Sequence, residues 1–306
     1  MSCSWRALKT HRFMRSKRLF VIGLLLASAV VAEAGIMRED VAESEYIALA
    51  NDARYASVGC VFTQVGSSWY GASGVLINDG TPADGSSWIL TAAHVLDGSI
   101  SELRFYLGPG VYGGAYTHRV VADSWLKHPD YNKYVFGWRD IGLIHLSQPI
   151  TDVTPATLFT GTDVLGTSVT MVGYGNPGTN TTGERPFDGI ERGGTNVIDD
   201  FTGSAEMSFT FNAPGSGATA LEYGGAHGDS GGGVFYDISG QTYLAGIIYG
   251  GYPGNAPGAC YGVSTCMTRM SWADSWVYSV VPEPGTAVFL TSGMLLLLRR
   301  RKFAAT

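Results

Sequence analysis

Short runs of β-branched and aromatic residues, separated by glycine, dominate this chain and limit it to a turn-dense β fold. Glycine occurs 42 times in 306 residues, which favours frequent turns over long helices. Runs bounded by Gly, Asn, Asp and Pro predict strands. These runs cover residues 56–64, 74–78, 87–91, 103–107, 118–123, 141–145, 168–174, 205–211, 233–236 and 242–249. Their spacing predicts an all-β sandwich or barrel.

One helix is predicted near the end of this β region. Trp272, Trp276 and Val280 recur every four residues, which places them on one face of a helix over residues 271–280. Residues 79–86 and 175–194 are rich in turn-forming residues and are expected to be loops.

Residues 1–34 have the pattern of a signal peptide. A basic leader precedes an apolar run from Leu19 to Val31, and Ala32-Glu33-Ala34 then offers a small-residue cleavage site. A buried helix or a retained anchor is the alternative interpretation. The pattern predicts an exported protein that a signal peptidase processes.

Residues 281–306 form a second organised end. Val281-Pro282-Glu283-Pro284-Gly285 is followed by an apolar run over 286–298 and by Arg299-Arg300-Arg301-Lys302. The run is shorter than the roughly 20 residues of a membrane-spanning helix. This tail resembles the PEP-CTERM sorting signal of bacteria that have an outer membrane. The resemblance implies transient membrane association, removal by an exosortase-type enzyme, and delivery to the cell surface or extracellular matrix. An ordinary C-terminal anchor is the alternative.

The charge and the cysteines exclude two kinds of site. The formal net charge is −6 although many basic residues lie in the two ends, so the region between them has no basic stripe for nucleic acid. Cys60, Cys260 and Cys266 lack the spacing with histidines that zinc sites show, and no metal is assigned. A Cys260–Cys266 disulfide would leave Cys60 as a thiol, and the other pairings stay open.

Three distant segments supply a serine, a histidine and an aspartate. Ser230 lies in the run Gly228-Asp229-Ser230-Gly231-Gly232-Gly233, His94 ends Thr91-Ala92-Ala93-His94, and Asp140 begins Asp140-Ile141-Gly142. A serine hydroxyl needs a histidine base in order to attack a carbonyl, and the histidine needs a carboxylate to orient it. Each residue alone fits a turn, a strand end or a cap. Together they predict a nucleophilic triad.

The glycines around Ser230 predict an oxyanion hole. Glycine adopts backbone angles that other residues avoid, so the amides of Gly228 and Ser230 can point to one spot beside the hydroxyl. Two such amides can hold the oxyanion of a tetrahedral intermediate.

With these motifs the chain resembles the trypsin/chymotrypsin-like serine peptidases. The resemblance rests on Trp88 to His94, on His128-Pro129 with Asp140 to Ile144, on Gly228 to Gly232, on Gly246-Ile247-Ile248 and on Gly262 to Thr265. It implies two antiparallel six-stranded β-barrels, over residues 35–150 and 151–280, with a short C-terminal helix. It also implies cleavage of protein or peptide substrates through an acyl-enzyme on Ser230, without a cofactor.

The resemblance also implies a substrate pocket and a pairing for Asp229. Gly224, Tyr249, Gly251 and Gly262 fall at pocket positions and suggest an open, uncharged pocket that does not select Arg or Lys. Asp229 falls where the family pairs an aspartate with a new N-terminal ammonium group. Ile36-Met37 suggests such a terminus after signal removal and loss of Gly35.

Two functions follow from the sequence. The first is an exported serine endopeptidase. The second is a surface or extracellular-matrix binding module that keeps the fold but turns over poorly, because the family's usual disulfides are missing and Tyr249-Gly250 replaces its usual strand sequence.

Overall fold

The computed structural model describes residues 35–79, 85–252 and 260–281. The predicted signal peptide and all but the first residue of the predicted sorting tail lie outside the described residues. The part of the chain that the structure describes contains no helix with the length and hydrophobicity that a membrane crossing requires.

The first half of the described chain contains seven strands and one α-helix. They are β1 (Gly35–Met37), α1 (Glu43–Ala50), β2 (Val58–Val65), β3 (Ser68–Leu76), β4 (Ser86–Thr91), β5 (Ile100–Leu107), β6 (His118–Lys127) and β7 (Gly142–Ile150). Two short 3-10 helices lie at Ala53–Tyr55 and Ala93–Leu96.

The second half follows with eleven strands and the other α-helix of the described residues. They are β8 (Thr157–Leu158), β9 (Ser168–Gly173), β10 (Pro177–Thr179), β11 (Gly183–Glu184), β12 (Arg192–Val197), β13 (Asp200–Thr202), β14 (Glu206–Thr210), β15 (Tyr223–Gly224), β16 (Gly233–Ile238), β17 (Gln241–Tyr252), β18 (Ser264–Arg269) and α2 (Met270–Val280). The fold class is therefore confirmed as mostly β, and all ten predicted strands overlap observed ones.

Strands β2 to β7 close into a six-stranded barrel in the order β2-β3-β4-β7-β6-β5. Alternate residues of β5 point inwards, so that Leu103, Phe105 and Leu107 are buried. They pack with Val61 and Ile144 from neighbouring strands. Buried and partly exposed residues thus alternate along β5 between the barrel interior and its outer surface.

The second sheet differs from the predicted six-stranded barrel. Its strands run in the order β12-β9-β16-β17-β18-β14-β13, with β8 parallel to β17, and this half-barrel is not closed among the described residues. Met171, Phe209, Val234 and Met267 form its core. Strand β12 was missed by the sequence because Arg-Gly-Gly-Thr-Asn-Val has no run of apolar residues.

A smaller sheet places the start of the described chain inside the protein. Strand β1 lies between β10 and β15, with Ile36 opposite Gly178 on one side and Gly224 on the other. All three residues of β1 are buried. The segment Ile36-Met37, where the sequence predicted a new N-terminus, is therefore part of a buried strand. This strand lies beside residues 228–233, the loop that carries Ser230, which we call the nucleophile loop.

Helix α2 begins one residue before its predicted start, and its buried face differs from the predicted one. Met270, Ala273 and Val277 are buried, whereas Trp272 and Trp276 are half-buried. Both indole rings pack on the His128 ring, whose centroid lies 5.0 Å from that of Trp272 and 4.9 Å from that of Trp276. Helix α1 was not predicted, because only Tyr46 and Ala50 are buried in its eight residues.

The chain forms none of the possible disulfides that involve Cys60 or Cys266. Both are free thiols in buried positions, so the Cys260–Cys266 pairing, one of those that the sequence left open, is not formed. Burial raises the pKa of the Cys266 thiol to about 12, so that it stays protonated and packs as an apolar group.

Candidate active site

The structure brings His94, Asp140 and Ser230 into one hydrogen-bonded chain. The His94 Nδ1 atom lies 2.9 Å from Asp140 Oδ2, and His94 Nε2 lies 2.8 Å from Ser230 Oγ. The backbone amide of His94 also donates to Asp140 Oδ1 at 2.9 Å. The carboxylate therefore fixes both the ring and the backbone of the histidine.

The triad residues come from the ends of ordered elements. His94 lies in the 3-10 helix that follows β4, and Asp140 lies just before β7. Because β4 pairs with β7, with Thr91 opposite Gly142, the two residues meet at the same end of the first barrel. Ser230 precedes β16 in the second sheet.

Backbone strain positions Asp140. The preceding residue, Arg139, has a φ of 56°, which is unusual for a residue other than glycine. Its guanidinium lies 4.2 Å from the centre of the Trp272 ring, and helix α2 thus supports the strained turn. From the second sheet, Thr268 Oγ1 donates to the Asp140 carbonyl at 3.1 Å.

The electrostatic setting of His94 favours the protonated ring. Partial burial lowers the pKa of His94, but the charge of Asp140 and its hydrogen bond raise it, and the net pKa lies above the usual 6.5. The Asp140 side chain is only 7 % exposed, whereas that of His94 is 36 % exposed. The ring is therefore accessible to a substrate while the carboxylate is shielded from solvent.

The glycines beside Ser230 are required by close approaches. Gly228 has a φ of 94°, and a Cβ there would lie 2.9 Å from the Tyr174 carbonyl oxygen. Gly231 has a φ of 88°, and a Cβ there would lie 2.0 Å from the Ser73 carbonyl oxygen. Within the described part of the chain, the amides of Gly228 and Ser230 donate no hydrogen bond to a protein acceptor.

Ser73 of β3 joins the first barrel to the nucleophile loop, and sequence reasoning missed it. Its amide donates to the Ser230 carbonyl at 2.8 Å, and its hydroxyl donates to the Gly228 carbonyl at 2.7 Å. The same hydroxyl accepts from the Tyr174 amide at 2.8 Å. No sequence signal marks it, since a serine among small residues of a strand is common.

Asp229 is fully buried directly before the nucleophile. Its carboxylate accepts the amides of Gly175 at 2.9 Å and Ala226 at 2.8 Å. Burial raises the pKa of Asp229 to about 7, although these two amides act in the opposite direction. It has no ion-pair partner among the described residues.

The predicted pocket glycines lie around Phe211 and Thr265. A Cβ on Gly224 would lie 3.2 Å from the Phe211 side chain, and the amide of Gly262 donates to the Phe211 carbonyl. Gly251 lies opposite Thr265 in the pairing of β17 with β18. The ring of Phe211 thus lies beside Gly224, and Tyr261 stacks on it at 4.7 Å.

The side chain of Tyr249 contacts the loop before Asp140, unlike the other predicted pocket residues. Its ring packs edge-on against Phe136, with centroids 5.4 Å apart. A Cβ on Gly137 would lie 2.5 Å from the same ring. Tyr249 therefore holds the loop over residues 131–139, which leads to Asp140, and Phe136 occupies the space above Gly250.

This geometry agrees with the comparison with protein families. The family model named Trypsin matches residues 52–273, which is well over half of the chain. The chain belongs to the trypsin family. A serine peptidase of this family acts on proteins or peptides, which confirms the predicted substrate class. No curated protein matches the chain well enough to count as a relative.

Among residues 35–79, 85–252 and 260–281, no three His, Cys, Asp or Glu side chains are grouped as ligands of a metal ion.

We expect Ser73→Ala to reduce both stability and turnover. The substitution leaves the Gly228 carbonyl and the Tyr174 amide without their buried partner, which costs about 2 kcal/mol of unfolding free energy. Because Gly228 carries a predicted oxyanion donor, kcat should fall about tenfold, a change of about 1.4 kcal/mol in the barrier. Steady-state kinetics and urea unfolding measure the two effects.

Ser86→Ala is the matched control for this prediction. Ser86 is also a buried serine of the first barrel. Its hydroxyl donates to the Ile77 carbonyl, and neither residue belongs to the nucleophile loop. It should lose similar stability at unchanged kcat. Equal losses of kcat in the two variants would contradict a specific role of Ser73.

Proposed function

We propose that this chain is an exported serine endopeptidase that cleaves peptide bonds through an acyl-enzyme on Ser230. The observation that carries the proposal is the continuous chain of hydrogen bonds from Asp140 through His94 to the Ser230 hydroxyl. In a surface turn the same serine would have no base beside it.

The proposed reaction has two proton transfers through one ring. As Ser230 Oγ attacks the carbonyl carbon, His94 Nε2 takes the hydroxyl proton and Asp140 stabilises the imidazolium. The Gly228 and Ser230 amides donate to the oxyanion. When the peptide C–N bond breaks, His94 gives the proton to the leaving amine. A water molecule then attacks the acyl-enzyme by the same route and releases the acid.

The alternative is a binding module on the same fold that turns over poorly. Tyr249 supports it, because the trypsin family usually has at this position a serine that supports the buried aspartate, whereas Tyr249 packs on the 131–139 loop. The intact hydrogen-bond chain favours the enzyme. We expect a fluorophosphonate probe to label the wild type and not Ser230→Ala, and a peptide library to be cleaved only by the wild type. Binding without labelling would support the module.

The proposed pocket does not select basic side chains. Gly224, Phe211 and Thr265 carry no negative charge that could bind Arg or Lys, and the Phe211 ring offers an apolar surface. We therefore propose a preference for large apolar or aromatic side chains on the acyl side of the scissile bond. Library cleavage confined to basic residues would contradict it.

The pH dependence of the reaction should follow His94. The ring must be neutral in order to take the serine proton, and its pKa is raised above 6.5. We therefore expect kcat/KM to rise with pH, with a midpoint above 6.5. Asp140→Asn removes the charge that raises the pKa, so its midpoint should move down while kcat falls about 10⁴-fold. An unchanged midpoint would contradict this coupling.

We also propose that signal removal creates the N-terminal partner of Asp229. A Cβ on Gly35 would lie 3.0 Å from Asp229 Oδ2 and 2.7 Å from the Tyr223 hydroxyl, which is a buried group without a hydrogen-bond partner. The predicted cleavage after Ala34 would place the new ammonium group of Gly35 there. This differs from the sequence-based expectation of Ile36, because Gly35 is the residue that closely approaches the Asp229 carboxylate.

The N-terminal ammonium should change how stability depends on pH. Without a cation, a carboxyl group whose pKa rises from 3.8 unfolded to about 7 folded binds more protons in the folded state, so stability falls as pH rises between these values. We expect this fall in a form with two extra residues before Gly35, together with low kcat. A form that starts at Gly35 should show a weaker fall.

Two controls define the outcome. Asp229→Asn should remove the difference between the two forms, since no carboxylate remains to titrate. Identical pH dependence and kcat in the extended and the Gly35 forms would contradict the pairing. N-terminal sequencing of the exported protein tests the site of cleavage, and its recovery from the cell surface tests the predicted localisation.

A further inference from the structure

An aromatic cleft lies on the outside of the first barrel, apart from the triad. Its volume is about 450 Å³. We call it the β5–β6 cleft, and its main side chains are Trp69, Arg104, Tyr106, Tyr112, Tyr116 and Arg119. Tyr112 is 57 % exposed and both Trp69 and Tyr116 are 37 % exposed. Large aromatic side chains grouped on a surface mark a site of interaction.

The cleft is preorganised by contacts among its own residues. The Tyr106 ring packs edge-on against Tyr116 at 5.2 Å and against Phe62 at 5.5 Å. The Arg104 guanidinium lies 4.2 Å from the centre of the Trp69 ring. Because these rings are already held in place, a ligand would bind with little loss of side-chain entropy.

The cleft is also positively charged in a protein whose net charge is negative. Arg104 forms an ion pair with Glu102 at 2.5 Å. Arg119 is exposed and donates through Nε to the Tyr106 hydroxyl at 3.0 Å, and within the described residues no carboxylate lies in ion-pair distance of it. Arg119 thus leaves donors for an acidic group, which Arg binds in a bidentate manner.

The strands beside the nucleophile loop place the β5–β6 cleft on the leaving-group side of the triad. The nucleophile loop lies between two strands, since Gly231 donates to Ile248 of β17 and Ser73 of β3 donates to Ser230. The predicted pocket residue Gly251 lies on β17, and the pocket is proposed to hold a side chain on the acyl side of the scissile bond. We therefore assign β17 to the acyl side. Strand β3 therefore borders the side on which the leaving peptide departs.

The length of strand β3 gives the distance from Ser73 to the β5–β6 cleft. From Ser73 to Trp69 the strand spans four residues, or about 13 Å at roughly 3.3 Å per residue. Between them, Phe187 covers Gly71 and packs edge-on against Phe62 and Tyr112. An extended substrate would reach the cleft with about the fourth to sixth residue after the scissile bond.

We propose that the β5–β6 cleft binds an acidic segment of the substrate polypeptide, located about four to six residues beyond the scissile bond on the leaving-group side. Arg119 binds a carboxylate of this segment, and the Trp69 and Tyr112 rings pack against its apolar side chains. This inference rests on the proposed peptidase function and adds a second determinant of substrate choice outside the primary pocket.

The test compares three peptides that share one scissile sequence chosen from library cleavage. The first ends three residues after the scissile bond, the second continues with Asp, Glu and Phe at the fourth to sixth positions, and the third has Lys in place of the two acidic residues. We expect the acidic peptide to exceed the short one about tenfold in kcat/KM for the wild type. Arg119→Glu should abolish this advantage and favour the lysine peptide.

Two further variants control the comparison. Trp69→Ala should weaken the acidic advantage without favouring lysine. Lys133→Glu changes net charge by the same amount on the 131–139 loop and should leave the acidic-to-short ratio unchanged. All three variants should cleave the short peptide at the wild-type rate, which also shows that they are folded. Equal rates of the wild type on the acidic and short peptides would overturn the proposal while leaving the peptidase function intact.

A binding measurement separates the cleft from catalysis. In the Ser230→Ala background, fluorescence titration should show tighter binding of the acidic peptide than of the lysine peptide, and Arg119→Glu should reverse the order. This result would hold even if the wild type proved inactive. If polygalacturonate binds in an Arg119-dependent way and the acidic peptide does not, the cleft serves an acidic polysaccharide and the proposal is wrong.

Discussion

The junction between β3 and the nucleophile loop is the contact on which the active site depends. Ser73 contributes its amide, its hydroxyl and its carbonyl to this junction, the last as acceptor of the Thr91 hydroxyl at 2.8 Å. Gly231 lies so close to the Ser73 carbonyl that no side chain fits between them. The first barrel supplies His94 and the second sheet supplies Ser230, so this junction sets the distance over which the proton moves.

Packing replaces covalent bonds in holding the site. Cys60 and Cys266 are reduced, and the residue beside the Asp229 carboxylate is Ala226. Instead, the Asp229 carboxylate holds the amides of Gly175 and Ala226, and glycines at 173 and 175 allow the close approach. A buried carboxylate costs free energy unless a cation compensates it. The approach of Gly35 to Asp229 is the basis of our proposal that N-terminal processing supplies that cation.

Different kinds of contact stabilise Asp140 and the loop that precedes it. Asp140 is held by the strained Arg139 turn, by the stacking of Arg139 on Trp272 and by Thr268 from the second sheet. Tyr249 supports the preceding loop through Phe136 and Gly137. In the function that we propose, substrate choice depends on two surfaces, the glycine-lined pocket along β17 and the arginine-bearing β5–β6 cleft reached along β3.

The sequence by itself determined the fold class and the family, and it selected the three residues that the structure joins by hydrogen bonds, because these depend on local signals. Short runs of β-branched and aromatic residues between turn residues marked the barrel strands, and glycines with obligatory backbone angles marked the nucleophile loop. Only the tertiary structure decided the role of Ser73, the direction of Tyr249, the open second sheet and the position of Gly35 beside Asp229. Each of these depends on contacts between residues far apart in the chain, which no local pattern encodes. The β5–β6 cleft is of the same kind, since its rings and arginines come from separate strands that meet only when the barrel closes.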